Sequence, residues 1–203
     1  MKLYFVPFAC SLATRIAIEE AELEAEFIQV VPGQVLPDGR PFSAISPMDY
    51  VPALETGGIV LSEGTVVLTY IADLAAEGVL APAPYTEARY QMMRWLNFVA
   101  TEVHKGVFSP LMTKKSSRGA RDWALGMLPK RFDLLSQQLK GQDFLIGRFS
   151  VADAYLLAVL NWCEYAGVPI KIWPVLEAWR TKMRTRPSVA RAMATEMPLL
   201  QAA

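Results

Sequence analysis

Residues 1–20 read MKLYFVPFACSLATRIAIEE and join a strand pattern directly to a helix pattern. KLYFV at residues 2–6 is rich in β-branched and aromatic residues, and Pro7 ends that run. From Cys10 onward, apolar residues recur at helical spacing through residue 23, with acidic residues on the other side. The sequence therefore predicts a strand, a short connection and an amphipathic helix, with Cys10 at the start of that helix.

The pattern of the following residues predicts a small α/β unit. Residues 26–31 have the composition of a second strand, and residues 51–61 form a predicted β-hairpin. Residues 32–45 are predicted to be a loop with at most one helical turn. Ser62 is predicted to cap a helix over residues 63–77. The order β-α-β, loop, β-β-α fills residues 1–78.

Residues 79–85, with two prolines, are the predicted linker, and residues 86–203 are predicted to be an all-helical domain. Ser150 and Asp153 have the spacing of a capping box at the start of one helix. The predicted helices are 86–104, 107–114, 119–139, 150–166, 173–184 and 187–196. The predicted fold class is an α+β N-terminal domain followed by an all-α C-terminal domain.

The distribution of charge along the chain supports the same boundary between the two predicted domains. Residues 1–78 contain three basic and eleven acidic residues, a net charge of −8, whereas residues 79–203 carry a net charge of +8. These opposite charges can attract each other within one chain or between two chains, or they can form two separately solvated faces. The whole chain is neutral, which gives it no electrostatic bias toward nucleic acid or an acidic membrane.

Several classes of protein are excluded by what the sequence lacks. Two cysteines, Cys10 and Cys163, cannot form a disulfide framework, and free thiols favour a reducing, cytoplasmic location. One histidine and no Cys-x-x-Cys motif argue against a metal site, and no P-loop or G-x-G-x-x-G motif occurs. No apolar run is long enough to span a membrane. The basic residues between 180 and 191 are interpreted as a solvated helix face rather than a nucleic-acid site.

Cys10 is the first candidate for chemistry. The unpaired backbone N–H groups and the dipole of a helix N-terminus stabilise an anion there, which favours a reactive thiolate. The adjacent Ser11 offers a hydroxyl that could hydrogen-bond that thiolate. The alternative is that Cys10 is a small buried apolar residue, the role predicted for Cys163 within LLAVLNWC.

Two further segments could bind a peptide. A proline that opens a strand, here Pro52, leaves the backbone of Val51 free to pair with an extended peptide ligand. At residues 62–64, a helix N-terminus and the carboxylate of Glu63 could hold the carboxylate and ammonium of an amino acid. The alternatives are a plain strand start and an ordinary helix cap.

The helix predicted over residues 86–104 has a second, polar stripe beside its apolar one. This stripe is interpreted as the lining of a cleft, with a solvated face as the alternative. Glu102 and Lys105 lie on a neighbouring face. The stripe consists of Arg94, Asn97, Thr101 and His104.

Taken together, five segments resemble the cytosolic glutathione transferases, and in particular their bacterial beta class. The segments are MKLYFVPFACSLATRIAIEE, SPMDYVPALE, LSEGTVVLTYIADL, LNFVATEVHKGVFSPL and FSVADAYLLAVLNW. The resemblance spans nearly the whole chain. It implies a thioredoxin-like N-terminal domain, an all-helical C-terminal domain, a homodimer, and glutathione as co-substrate in a cleft between the domains, without a metal.

The resemblance also implies roles for individual residues. Cys10 matches the reactive cysteine of the class, with Ser11 beside it and His104 as a further catalytic candidate. Val51 before a cis Pro52 matches the backbone clamp on the cysteinyl part of glutathione. The holder of the γ-glutamyl head corresponds to Glu63 and Gly64. Positions of the class that line the site, or its dimer-facing edge, correspond to Asn97, Glu102, His104 and Lys105.

Several features depart from the class, including Met48 and Asp49 in place of the usual lysine and glycine before the clamp. Phe8 stands where the class usually has glycine, and Arg15 stands where it often has histidine. The loop over residues 32–45 lacks the lysine that would pair with the glycyl carboxylate, and Arg40 or His104 is the candidate replacement. A second substrate pocket that differs from the usual one is therefore expected.

The function that the resemblance implies is conjugation of reduced glutathione to small hydrophobic electrophiles, a detoxification activity. Two alternatives stay open. Cys10 could form a mixed disulfide with glutathione in thiol–disulfide exchange, or the chain could be a non-catalytic binding or regulatory protein that keeps the fold.

Overall fold

The computed structural model of the chain describes residues 1–201, which form two compact units. Met1–Leu80 and the described residues from Pro187 onward form the first unit, and Ala81–Arg186 form the second. No helix within the described residues is long and apolar enough to cross a bilayer.

The first unit is built on a four-stranded mixed sheet in the order β2-β1-β3-β4. β1 (Lys2–Phe5) pairs in parallel with β2 (Glu26–Gln29). β3 (Ala53–Thr56) is antiparallel to both β1 and β4 (Ile59–Leu61). The C-terminal ends of β1, β2 and β4 and the N-terminal end of β3 therefore lie at one edge of the sheet.

Three helices complete this unit: α1 (Ser11–Glu20), α2 (Gly64–Leu74) and α8 (Pro187–Gln201). α1 packs against α2 and α8. The loop between β2 and β3 holds one short 3-10 turn, Phe42–Ala44, as the sequence predicts. Buried apolar residues from the sheet and this loop form a common cluster: Tyr4, Val30, Leu36, Phe42, Ile45 and Ala53.

The second unit is entirely helical. Its helices are α3 (Glu87–Phe98), a π segment (Val99–Phe108), α4 (Ser109–Met112), α5 (Arg118–Leu139), α6 (Val151–Leu160) and α7 (Pro174–Arg184). Two 3-10 turns, Asn161–Cys163 and Ile170–Ile172, lie between α6 and α7. Every residue of α6 is buried, which makes it the central helix of this unit.

The fold class predicted from the sequence is confirmed, and so is the capping box of α6. The Asp153 carboxylate accepts hydrogen bonds from the Ser150 N–H at 3.0 Å and from its hydroxyl at 2.8 Å. The last helix, α8, groups with the first unit through its contacts with α1. The division of the chain at residues 79–85 into two functional domains stays a prediction.

Two local predictions are wrong. Ser62 does not cap α2, because the N-cap position belongs to Glu63 and no side chain caps the helix there. The break predicted between residues 104 and 107 is absent, because the chain passes from α3 through the π segment into α4. The i→i+5 hydrogen bonds of a π turn keep a helix continuous while shifting its faces.

Candidate functional site at the sheet edge

Four chain segments meet at the sheet edge in the order set by the strands. Val30 follows β2, the turn Val6–Ala9 and Cys10 follow β1, Val51 precedes β3, and Glu63 follows β4. The topology therefore aligns three of the segments singled out in the sequence: the helix start at Cys10, the strand start at Val51, and the helix start at Glu63.

Cys10 and Val51 are in direct contact. The Cys10 thiol donates a hydrogen bond to the Val51 carbonyl, with 3.1 Å between Sγ and the oxygen. Cys10 is the N-cap residue of α1 and is half-buried, and the Val51–Pro52 peptide bond is cis, as the resemblance implies. The contact joins a thiol, a helix N-terminus and a strand-opening backbone at one point of the edge.

A buried carboxylate from α8 holds the turn that precedes Cys10. The turn closes through a hydrogen bond from the Ala9 N–H to the Val6 carbonyl at 3.1 Å, and Phe8 has a φ of +55°. This left-handed conformation costs a residue with a side chain about 1–2 kcal/mol. The Phe8 N–H donates to Glu196 Oε2 at 2.7 Å, which fixes the turn in this conformation.

Arg15 is the counterion of Glu196. Its Nε lies 2.8 Å from Glu196 Oε1, and the two side chains are 4% and 0% exposed. The Arg15 guanidinium also lies 3.8 Å from the centre of the Phe27 ring. Burial raises the pKa of Glu196, against the hydrogen bonds from Phe8 and Arg15, which lower it. Arg15 and Phe8, two departures from the beta class, are thus linked by one acidic residue.

Ser11 lies next to Cys10 but is engaged elsewhere. Its hydroxyl donates to the Val6 carbonyl at 3.2 Å and accepts from the Val6 N–H at 3.3 Å. The residue is fully buried. In this structure the hydroxyl stabilises the turn before α1, and its role toward a thiolate stays a prediction.

Glu63 marks the far end of the edge. It is exposed and has a φ of +65°, which is uncommon for any residue other than glycine. α2 begins immediately after it at Gly64, and the Glu63 carbonyl accepts from the Val67 N–H at 2.9 Å. A carboxylate and the free N–H groups of a helix start therefore lie side by side, the combination that suits the zwitterionic head of an amino acid.

The candidates of the second unit lie in α3 and the π segment. Asn97 is exposed and donates to the Met93 carbonyl of its own helix at 2.9 Å. Glu102 accepts from Arg131 at 2.6 Å. Lys105 is exposed. Their assignment to a glutathione site stays a prediction.

His104 is buried in the helical unit, with 9% of its surface exposed. Its Nδ1 lies 2.7 Å from the Tyr155 hydroxyl, and its ring packs edge-on against Trp162 with 4.8 Å between centres. Burial, with a smaller effect from the charge of Lys105, lowers the pKa of His104 to about 4. The imidazole is therefore neutral at pH 7.

The polar stripe predicted for this helix does not share one face. Arg94, Asn97 and Thr101 are exposed, whereas His104 is buried. The stripe assumed 3.6 residues per turn, and the π segment that begins at Val99 has wider turns, so the later residues rotate away from the earlier ones.

Sequence reasoning missed Glu196 and Tyr155 as partners of candidate residues. Glu196 is an isolated acid in the apolar segment MATEMPLL, just as Arg15 is the one basic residue of α1. Two isolated opposite charges on apolar segments are the signal that could have paired them. Nothing in the sequence distinguishes Tyr155 from its apolar neighbours.

The described residues contain no group of three or more His, Cys, Asp or Glu side chains that could hold a metal ion.

The comparisons with known proteins are consistent across the chain. Residues 1–73 match the family model "Glutathione S-transferase, N-terminal domain", and residues 98–187 match "Glutathione S-transferase, C-terminal domain".

Full-length relatives give the same assignment. Glutathione S-transferase GstA of Escherichia coli O157:H7 is 32% identical over 97% of this chain and 98% of its own length. A sphingomonad glutathione S-transferase, solved in complex with glutathione, is 35% identical with a TM-score of 0.91 over 97% of this chain and 98% of its own. A beta class enzyme of Sphingomonas chungbukensis is 34% identical with a TM-score of 0.90 over the same shares of the two chains. This chain belongs to the glutathione S-transferase family.

Proposed function

We propose that this protein conjugates reduced glutathione to small electrophiles at the sheet edge that carries Cys10 and Val51. The observation that carries the proposal is the 3.1 Å contact between the Cys10 thiol and the Val51 carbonyl. It means that a peptide paired with the backbone of Val51 lies beside a thiol at a helix start. The sphingomonad relative solved with glutathione supports glutathione as that peptide.

Different residues bind different parts of glutathione. Glu63 and the α2 start at Gly64 take the γ-glutamyl head, and the backbone of Val51 and Pro52 takes the cysteinyl part. The glutathione thiol then lies near Cys10 and the N-terminus of α1, which favours its thiolate form. Ser11 supports the turn before α1. Asn97, Glu102, His104 and Lys105 are the proposed contributions of the helical unit.

The reaction is a nucleophilic attack by the glutathione thiolate on an electrophilic carbon. A carbon–sulfur bond forms, and the leaving group departs with the electron pair of the bond that breaks. The thiol proton passes to solvent before the attack. The neutral imidazole of His104 adds no positive charge to stabilise the thiolate, so the dipole of α1 and hydrogen-bond donors carry that role.

Thiol–disulfide exchange is the second candidate, because Cys10 is half-buried rather than enclosed. In that reaction the Cys10 thiolate attacks one sulfur of oxidised glutathione. A mixed disulfide forms, and one glutathione thiolate leaves. A non-catalytic binding protein is the third candidate, and it predicts neither reaction.

The proposal also covers the oligomeric state, the cellular location and the role of the protein. We infer a homodimer that acts in the cytoplasm on hydrophobic electrophiles, as a detoxification enzyme. Several large apolar side chains of the first unit are exposed, which favours a partner surface there. They include Met48, Tyr50, Ile59, Val60 and Val66.

Two measurements on Cys10→Ala separate the candidates. The first is kcat/KM for conjugation with 1-chloro-2,4-dinitrobenzene, and the second is intact-mass analysis after incubation with oxidised glutathione. Conjugation with Cys10 as a hydrogen-bonding helper predicts a loss of about tenfold in kcat/KM, equivalent to about 1.4 kcal/mol. Exchange predicts instead a glutathione adduct on the wild type that the variant lacks.

Cys163→Ala is the matched control. Cys163 is fully buried, and burial raises the pKa of its thiol to about 12, so neither measurement is expected to change. Absence of conjugation and of any adduct in the wild type would leave only the non-catalytic candidate.

A further inference from the structure

The buried histidine of the helical unit is hydrogen-bonded to a tyrosine of the central helix. His104 Nδ1 lies 2.7 Å from the hydroxyl of Tyr155, a buried residue of α6. The imidazole also packs edge-on against the ring of Trp162, with 4.8 Å between the ring centres and an angle of 71° between the planes. These two contacts, both within the helical unit, fix the orientation of the imidazole.

The chemistry of the two groups decides which of them donates the hydrogen bond. Burial lowers the pKa of His104 to about 4, so at pH 7 the ring is neutral and has one proton to place. A phenol is a stronger acid than a neutral imidazole, and an imidazole nitrogen is a stronger base than a phenol oxygen. The 2.7 Å distance also fits a bond donated by a hydroxyl, since N–H···O bonds are usually about 2.9–3.0 Å long. The Tyr155 hydroxyl therefore donates to Nδ1, which leaves the ring proton on Nε2.

Nε2 is the ring nitrogen that can meet a ligand. It makes no hydrogen bond within residues 1–201, yet it is not one of the side-chain nitrogens that are buried there without a partner. Nε2 therefore belongs to the 9% of His104 that stays exposed. Because Tyr155 and Trp162 restrain the ring, the helical unit by itself sets the direction of the Nε2–H bond.

We propose that Tyr155 is a positioning residue that fixes His104 as the Nε2–H tautomer, so that the imidazole donates to the thiolate sulfur of bound glutathione. The inference rests on the proposed function, which assigns His104 to the glutathione site. In this tautomer the ring does not take the thiol proton, because Nδ1 accepts from Tyr155 and Nε2 already carries hydrogen. A hydrogen bond to an ionised acceptor is roughly twice as strong as one to a neutral acceptor, so the donor favours the thiolate over the thiol.

Nitrogen NMR of the untagged full-length protein reads the tautomer directly, because His104 is the only histidine of the chain. In a neutral imidazole, the nitrogen without a proton resonates far downfield of the N–H nitrogen. We expect a downfield Nδ1 and an upfield Nε2 in the wild type at pH 7. In Tyr155→Phe the two resonances should move toward each other, because both tautomers become populated. A protonated, upfield Nδ1 in the wild type would overturn the proposal, since His104 would then donate to Tyr155 and present a bare Nε2.

Kinetics test whether this tautomer serves the reaction. Tyr155→Phe should lower kcat for conjugation of 1-chloro-2,4-dinitrobenzene about tenfold. It should also reduce the ultraviolet thiolate absorbance of the protein saturated with glutathione at pH 7, while the Kd changes less than about threefold. Tyr90→Phe removes an exposed hydroxyl from α3 and is the matched control, with kcat and absorbance unchanged. Wild-type kcat and absorbance in Tyr155→Phe would overturn the proposal, because the hydroxyl would then only fill the core.

Two substitutions of the imidazole give a test that does not depend on the folding of Tyr155→Phe. The amide nitrogen of a glutamine can take the place of Nε2, whereas that of an asparagine can take the place of Nδ1. His104→Gln should therefore keep more of the wild-type kcat than His104→Asn. An equal kcat in the two variants, or a higher kcat in His104→Asn, would overturn the assignment of Nε2 as the donor.

The outcomes separate this inference from the proposed function. A bare Nε2 in the wild-type spectrum, or unchanged kinetics in Tyr155→Phe, overturns the role of Tyr155 and leaves glutathione binding intact. Failure of glutathione to bind the wild type at millimolar concentration overturns the proposed function and, with it, the sulfur as acceptor. The NMR spectrum still decides the tautomer in that case, because it needs no ligand.

Discussion

At the scale of single residues, Glu63 carries the clearest expectation for binding. Replacing Glu63 with Ala removes a charge-assisted hydrogen bond to the ammonium of the γ-glutamyl head. The Kd for reduced glutathione should therefore rise by the equivalent of about 1–3 kcal/mol. Calorimetric titration measures it, with Glu77→Ala as a control from beyond the end of α2. An unchanged Kd in Glu63→Ala would remove the assigned head-group site.

The burial of His104 predicts how the stability of the chain depends on pH. Its pKa is about 4 in the folded chain, against an ordinary value near 6.5. Between these values the unfolded chain binds a proton that the folded chain does not, so the His104 contribution to stability falls as pH drops from 6.5 to 4. Relative to His104→Gln, the wild type should lose about 2–3 kcal/mol of unfolding free energy between pH 7.5 and pH 4.5. Urea unfolding at the two pH values measures these free energies. An equal loss of unfolding free energy in the wild type and in His104→Gln would contradict a buried, neutral His104.

At the scale of elements, α1 and α8 are joined by one buried ion pair, Arg15–Glu196. Glu196→Gln leaves the Arg15 guanidinium buried without a counterion, and breaking such a pair costs about 3–5 kcal/mol. We expect that loss in denaturant unfolding. Glu19→Gln breaks the more exposed Arg191–Glu19 pair between the same two helices and should cost less than about 1 kcal/mol. Equal losses in both variants would contradict a special role for Glu196.

The elements also show what the sequence could and could not reveal. The junction of β1 and α1 at Cys10 was predictable because strand and helix patterns, and the proline between them, are local signals. The contact between Glu196 and Phe8 was not, because it joins positions 188 residues apart that only the folded chain brings together. The π segment was missed because helical periodicity assumes 3.6 residues per turn, which hid the inward rotation of His104. The contact of Cys10 with Val51 needed the sheet order, which the strand patterns alone do not fix.

At the scale of the whole molecule, the proposal includes a homodimer. Light scattering should give a mass twice the 22.5 kDa of one chain. Met48 is an apolar side chain of the first unit and is 68% exposed. Met48→Glu replaces it with a carboxylate and should raise the dimer dissociation constant at least tenfold. Ile172→Glu, a change at a similarly exposed position of the second unit, is the control. A monomeric wild type, or a Met48→Glu variant with unchanged dissociation, would contradict this surface.

Glutathione is proposed to bind along the sheet edge from Glu63 through Val51 to Cys10. Calorimetric titration of the wild-type protein with reduced glutathione measures this binding. We expect saturable binding of one glutathione per chain, retained in Cys10→Ala because the thiol is not the main anchor. Absence of binding to the wild type at millimolar glutathione would contradict this site, because the family fold would then be present without its substrate.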